Sequence, residues 1–259
     1  MKRRRGTVIG MAFLFCFAAA FASAEGEVVL ATNDFPPYVM QGDADFGPIS
    51  KIIRAAFKEA GVAVTIRFHP WQRAENEVRS GRAFGVFPYR PTEERRREFD
   101  FTDPYYAYTA RFFYNTRVHP NGIPYRTLED LKPYKVGAVN DFWYLPLFEK
   151  AGLQVNAVPS IDQSLKMLHA GRIDLFPEEE NTAWYLIRKL FPGDERLFAT
   201  LPQAFQEPGV TNKLSLMVSR AYPGSKDLIE KFNAGLAAIR RTGVYRKILE
   251  EYRISAAGQ

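Results

Sequence analysis

Between Gly85 and Tyr106 the chain reads GVFPYRPTEERRREFDFTDPYY, a stretch that gathers guanidinium groups around a helix start. Thr92 has a hydroxyl suited to accept a free amide of a first helical turn. Glu93 and Glu94 stand at the positive end of that turn's dipole, and Arg95, Arg96 and Arg97 follow. Gly85 to Phe87 reads as a buried strand, so a one-turn helix follows a strand through the turn at Pro88 and Pro91. Such a junction aims backbone N–H groups past the strand end, and Arg90 and Arg95 beside them make it a cradle for a carboxylate. Arg96 and Arg97 read as a solvated face; Arg95, three residues past the cap, is the one expected to point inward. No nucleophile–base pair or metal-ligand cluster stands out, and His69, His119 and His169 are scattered as surface or loop residues. The expectation is therefore no catalytic residue, no metal and no cofactor.

The elements that must hold this cradle alternate. Val28 to Ala31 reads as a buried strand, followed by a turn over Asn33 to Tyr38. Ile49, Ile52, Ile53, Ala56, Phe57 and Ala60 recur at helical spacing up to Gly61. Val62 to Phe68 is the next strand, Trp71, Ala74 and Val78 line a helix ended by Ser80-Gly81, and the strand at Gly85 comes third. A βαβαβ order calls for a parallel sheet with right-handed crossovers and a site at the strands' carboxyl ends. Three loops then reach one edge: Asn33 to Tyr38, His69 to Arg73, and Pro88 to Arg95. Arg73 reads as a surface residue.

After Tyr106, residues 107–109 read as a crossing strand, and Ala110 to Asn115 opens a second sheet. A short helix over Leu128 to Leu131 opened by Thr127, a strand over Lys135 to Val139, a helix ending at Gly152 and a strand over Val155 to Val158 follow. Ser160-x-x-Gln163 reads as a capping box. Gly171-Arg172-Ile173-Asp174 leads into Glu178-Glu179-Glu180, and an acidic run before the helix from Asn181 to Leu190 reads first as a solvated helix start. Lys213 to Ser219 is expected to cross back, and two amphipathic helices, the last with Val244, Ile248, Leu249 and Tyr252, to pack on the first sheet.

Compartment is read from the other end. Lys2 to Arg5 is a basic region, Val8 to Phe21 an apolar core and Ala22-Ser23-Ala24 a small-residue cleavage site, so residues 1–24 read as a secretory signal peptide. The single cysteine, Cys16, lies inside it and lacks a lipoprotein cleavage context, so neither a disulfide nor a lipid anchor is expected afterwards. Removing the leader takes four basic residues and no acid, which lowers the formal charge from +6 to +2 and leaves no argument for nucleic acid. The 235 residues that remain suit two lobes and hold no apolar run long enough for a membrane span.

Thr92, Arg95, Phe101, Thr102, Pro104 and Tyr105 fall at the spacing T-x-x-R, short spacer, [DE]-F-[ST]-x-P-Y. This resembles the extracytoplasmic solute-binding proteins of the polar-amino-acid type that serve ABC importers, bacterial solute-binding protein family 3. Gly171 to Asp174 and Thr242-Gly243-Val244-Tyr245 are similar to later segments of the family, so the resemblance covers nearly the whole mature chain. It implies an α/β, two-lobed fold of the periplasmic-binding-protein type II, each lobe a mixed sheet flanked by helices, joined by two crossing strands. The lobes would be residues 25–107 with 212–259, and residues 110–206.

The resemblance also implies roles. Arg95 would grip a ligand carboxylate beside Thr92. Phe35 and Trp71 would face each other across an apolar slot, although Phe35 reads equally as a core ring. Glu179, five residues past Asp174, falls where the family has the acid that binds an amino group, while Asp174 itself caps or holds the turn. The chain departs from the pattern at Arg90, where the family has a small hydroxyl residue, and at Pro88. Arg90 is therefore either a second anion contact or an outer cover. Asn140 to Trp143 replaces a Gly/Ser/Thr-rich turn with rings, so the ligand is expected to differ from a plain small amino acid. The function implied is periplasmic capture of a small carboxylate, an amino acid or amino-acid-like compound, by a monomer that delivers it to an inner-membrane ABC permease. Two alternatives stay open: a periplasmic dehydratase of the cyclohexadienyl or prephenate kind on the same fold, for which Glu178 to Glu180 near a cleft could supply a general acid, and a ligand sensor for a signalling receptor.

Overall fold

The computed structural model describes residues 27–254, apart from 141, 207, 208 and 210; the leader read over residues 1–24, Cys16 included, lies outside the described residues. The first apolar run forms strand β1 (Val28–Thr32), and helix α1 (Pro48–Glu59) follows with proline in its first turn, where no backbone amide is needed. Ile49, Ile52, Ile53, Ala56 and Phe57 lie on one face of α1 and are fully buried. Each of the larger ones contributes roughly 1.5–3 kcal/mol of burial. Strand β2 (Val64–Phe68), helix α2 (Trp71–Arg79) and strand β3 (Gly85–Tyr89) complete the βαβαβ unit. Both β2 and β3 pair with β1 in parallel, so all three carboxyl ends meet at one edge. Short helix α3 (Glu93–Glu98) and strands β4 (Asp100–Phe101) and β5 (Tyr106–Ala107) lead away from it.

The second sheet contains β6 (Ala110–Asn115), β7 (Lys135–Val139), β8 (Gln154–Val158), β9 (Leu175–Glu179) and β10 (Phe198–Thr200) in the order β10-β6-β9-β7-β8. Helices α4 (Leu145–Ala151), α5 (Ile161–His169) and α6 (Glu180–Leu190) connect them. Here β7, β8 and β9 are parallel, while β6 runs against β9, which places β9 in the middle of the sheet. Asp174 holds the entry to this sheet: its carboxylate accepts the Lys135 amide at 2.8 Å and pairs with His119 at 2.7 Å.

Lys213 to Ser219 was expected to cross between lobes, and the structure differs. Strand β11 (Lys213–Val218) belongs to the first sheet, antiparallel between β3 and β4, because its apolar residues Leu214, Leu216, Met217 and Val218 are buried there. The return crossing is the stretch before it. Phe205 N donates to Ala110 O at 2.8 Å, and Tyr108 N and Asn212 O pair at 3.1 Å, so the two crossing segments run side by side. Helices α7 (Ser225–Arg241) and α8 (Val244–Glu251) then close the first lobe, with α7 lying along α1. Their approach depends on Gly235, since a Cβ there would fall on the Ala56 carbonyl oxygen. Among the described residues no helix is long and apolar enough to cross a membrane.

Candidate functional site

Parallel strands in both sheets end toward the space between the lobes, and a cleft of about 660 Å³ lies there. The loops after β1, β2 and β3 deliver Phe35, Trp71 and the Arg90–Arg95 turn from one side. The ends of β7, β8 and β9 deliver Phe142 and Trp143, Ile161, and Glu178 and Glu179 from the other.

On the first wall the side chains brace one another. Thr92 caps α3 by accepting the Arg95 amide at 3.3 Å, which fixes the turn from which Arg95 departs. The Arg95 guanidinium lies 4.7 Å above the Tyr89 ring, and its Nη1 donates to the Arg90 carbonyl at 3.1 Å. That bond uses one of five N–H donors. Trp71, the first residue of α2, meets Tyr89 edge-to-face with centroids 5.7 Å apart. Glu75, one turn further along α2, accepts the Tyr89 hydroxyl at 2.6 Å. Phe35 is 42% exposed and stacks on Tyr38 at 5.9 Å, so it is a cleft ring and not a core ring. Arg73, Arg96 and Arg97 are exposed, as expected.

The second wall is acidic and aromatic. Glu178 and Glu179 end β9, and neither belongs to a solvated face. Glu179 caps α6, its carboxylate accepting the Thr182 amide at 2.8 Å. Burial pushes the Glu179 carboxyl above its ordinary range. Glu178 is buried, with Oε1 accepting the Glu179 amide at 2.8 Å; burial first, and the neighbouring Glu179 second, push its carboxyl up to about 8. Trp143 stacks on Phe205 with centroids 5.0 Å apart, so the rings expected in this turn do stand in the cleft wall.

At the base, the lobes touch through a polar cluster. Asn181 Nδ2 donates to the Tyr106 hydroxyl at 2.8 Å and to the Tyr38 hydroxyl at 3.2 Å. Tyr38 stands in the first lobe, Tyr106 at the crossing and Asn181 on α6 of the second lobe. All three are buried, and burial raises both phenols above their ordinary range.

Arg95, Arg90, Trp71, Phe35 and Glu179 thus line one cleft, and Thr92 supports it from the cap. The sequence marks neither Glu75 nor Tyr89 as a cleft residue, and it offers Glu178 only within the acidic run 178–180 that could stand near a cleft in the enzyme alternative. Glu75 was within reach, since a residue four past Trp71 on a helix shares its face. Glu178 shares a sheet face with the buried Phe176, a two-residue period that an acidic triplet hides. Tyr89 gave no local signal, because its partners come from α2 and α3. Among the described residues no group of His, Cys, Asp or Glu side chains is arranged to hold a metal ion.

Comparisons with known proteins agree with this architecture. The family of bacterial extracellular solute-binding proteins, family 3, matches residues 28–255. The L-arginine-binding protein of Pseudomonas aeruginosa is 28% identical over 165 residues, a match that spans 62% of this chain and 61% of that protein. Substrate binding domain 2 of GlnP from Lactococcus lactis, solved in an open conformation, superposes with a TM-score of 0.72 at 24% identity, covering 88% of this chain and 96% of that one. The amino acid ABC transporter substrate-binding protein AbpA from Streptococcus pneumoniae, solved with L-arginine, superposes with a TM-score of 0.59 at 21% identity over 88% of this chain and 94% of that one. At these identities the superpositions show the two-lobed fold.

Proposed function

We propose, for a chain that belongs to the bacterial extracellular solute-binding proteins of family 3, that it captures a free α-amino acid between its lobes and passes it to an inner-membrane ABC permease. The family is one of binding proteins and not of enzymes. The observation that carries the reading is the opposition of Arg95 on one wall to Glu179 on the other within a single cleft. A guanidinium fork suits a carboxylate and a capped, half-buried carboxylate suits an ammonium group, so one zwitterion would engage both lobes. Trp71, Phe35 and Phe142 supply apolar area for its side chain. Ligand contacts made to both lobes favour the closed arrangement, with residues 25–107 and 212–259 moving against residues 110–206 about the paired crossing segments.

The L-arginine bound by the Pseudomonas relative and by AbpA supports the amino-acid class. The extracellular family and the leader read in residues 1–24 support a periplasmic site of action. The test is a thermal-shift screen of the mature chain against the common L-amino acids. A ligand at a hundred times its Kd adds about 2.7 kcal/mol of stability, which a melting curve resolves. A shift with at least one amino acid is expected; no shift with any of them would overturn the reading.

A further inference from the structure

Helix α3 carries the Arg95 backbone, yet it is six residues long and buries none of its side chains. A helix that short does not hold itself together in water, so ties from outside must fix the turn. Thr92 supplies one at the amino end. At the other end a helix leaves its last carbonyls without partners in its own ladder. Arg220 meets them. It stands two residues past β11, and the antiparallel pairing of Val218 with Asp100 sets it at the end of α3. Its Nη1 donates to the Arg97 carbonyl at 2.8 Å, and its Nη2 donates to the carbonyls of Arg96 at 2.9 Å and Phe99 at 3.2 Å. Nε donates to Asp100 Oδ1 at 2.9 Å, which aims the fork. A cation there also faces the negative end of the helix dipole.

We infer that Arg220 is a positioning residue for ligand capture: by clamping the carboxyl end of α3 it holds the Arg95 backbone, and with it the guanidinium, where a carboxylate is gripped. The inference rests on the carboxylate reading of Arg95. Where α3 is clamped, a ligand meets a guanidinium already in place; where α3 unwinds, binding must first rebuild the turn, and that ordering is subtracted from affinity. Two features separate this role from general support of the fold. The Arg220 side chain is 48% exposed, so truncation opens no cavity in the core and its ion pair with Asp100 carries little stability. Its other bonds go to the backbone of residues 96, 97 and 99, so their loss loosens α3 and not the sheet. Phe99 is buried and pins the chain just past the helix, but that fixes one residue and leaves the turn before it free to unwind. A lysine at this position would bring one point charge to carbonyls that the planar fork spans together.

The experiment has two arms on the mature chain. In the first, hydrogen exchange followed by NMR compares wild type and Arg220→Ala at the amides of Arg95, Arg96 and Phe99, which the α3 turn holds. These should exchange at least about fivefold faster in the variant, with the strands of both sheets unchanged. In the second, calorimetric titration uses the common L-amino acid that gives the largest thermal shift, and its α-carboxamide, which lacks the anion. Arg220→Ala should weaken the amino acid about tenfold, the scale of losing a residue that orients a direct contact, and the carboxamide by less than about twofold. In an Arg95→Ala background the same substitution should add less than about twofold, because the group it positions is gone. Arg220→Lys keeps a cation beside Asp100 without the fork; it should fall between the two, and it carries the same test where the alanine variant does not fold. Unchanged exchange in α3, a loss shared equally by the amino acid and its carboxamide, or the full tenfold loss in the Arg95→Ala background would overturn the inference while leaving the amino-acid cleft standing. Binding of no amino acid by the wild type would bring down both.

Discussion

Arg111 and Glu178 are register partners across β6 and β9, and the guanidinium nevertheless turns to Glu180 at 2.9 Å, leaving Glu178 to take only the amide of Glu179. The carboxyl is thereby desolvated without compensation by the nearest strand, and burial raises it to about 8.

That shift has a sign. Glu178 goes from an ordinary 4.5 to about 8 on folding, so between those values the folded state binds more protons than the unfolded one. Its stabilising contribution is therefore complete below about 4.5 and is lost as pH rises toward about 8. The titratable and charged groups around it are Glu179 on its own strand, whose raised carboxyl acts with the same sign, Tyr144, and Arg90, which lines the same cleft. In ligand-free protein, Glu178→Gln should melt close to wild type at pH 5 and higher by roughly 3 °C or more at pH 8.5, where about 1 kcal/mol moves the midpoint of a chain this size by 2–4 °C. Scanning calorimetry at the two pH values reads this directly. A variant less stable at both would mean that the carboxylate makes a stabilising contact.

The packing of α7 on α1 gives a prediction for the fold. Gly235→Ala puts a methyl group on the Ala56 carbonyl oxygen, which is backbone and cannot swing aside. Helix separation is the only relief, at a cost of about 3 kcal/mol in the overpacking range. Urea denaturation should show that loss, and a variant as stable as wild type would mean that the helices stand further apart in solution.

Trp71 and Trp143 line the cleft from opposite walls, whereas Trp184 packs in the second lobe against Phe113 at 5.5 Å. Ligand addition should therefore change tryptophan emission. Trp71→Ala should keep the fold, weaken binding by about 1–3 kcal/mol through lost apolar contact, and reduce the emission change. Unchanged affinity in the folded variant would assign Trp71 to support of Tyr89 alone.

The alternation of strand and helix, the Thr92 cap and the inward Arg95 were all legible in the sequence, because each is a local signal: a period, a hydroxyl at a helix start, a fixed offset from it. The nature of β11 was not. An apolar strand after a crossing carries no mark of whether it bridges lobes or fills a gap between β3 and β4. Glu178 was obscured for another reason: three successive acids suggest water, and only the central place of β9 in its sheet buries the first of them. Phe35 could be a core ring or a cleft ring from sequence, and the turn around Pro36 and Tyr38 decides for the cleft. The bracing of Tyr89 by Glu75, Trp71 and Arg95 is tertiary and left no pattern to read.

Arg95 is the proposed carboxylate anchor of the cleft. With an amino acid identified by the thermal-shift screen, calorimetric titration of wild type, Arg95→Ala, Arg96→Ala and Arg97→Ala measures its share. Arg95→Ala should lose roughly 2–5 kcal/mol of binding, the cost of leaving a desolvated anion unpaired, while the two exposed neighbours change it by less than about 0.5 kcal/mol. Equal small losses for all three would contradict the account and reduce the arginine run to a solvated face.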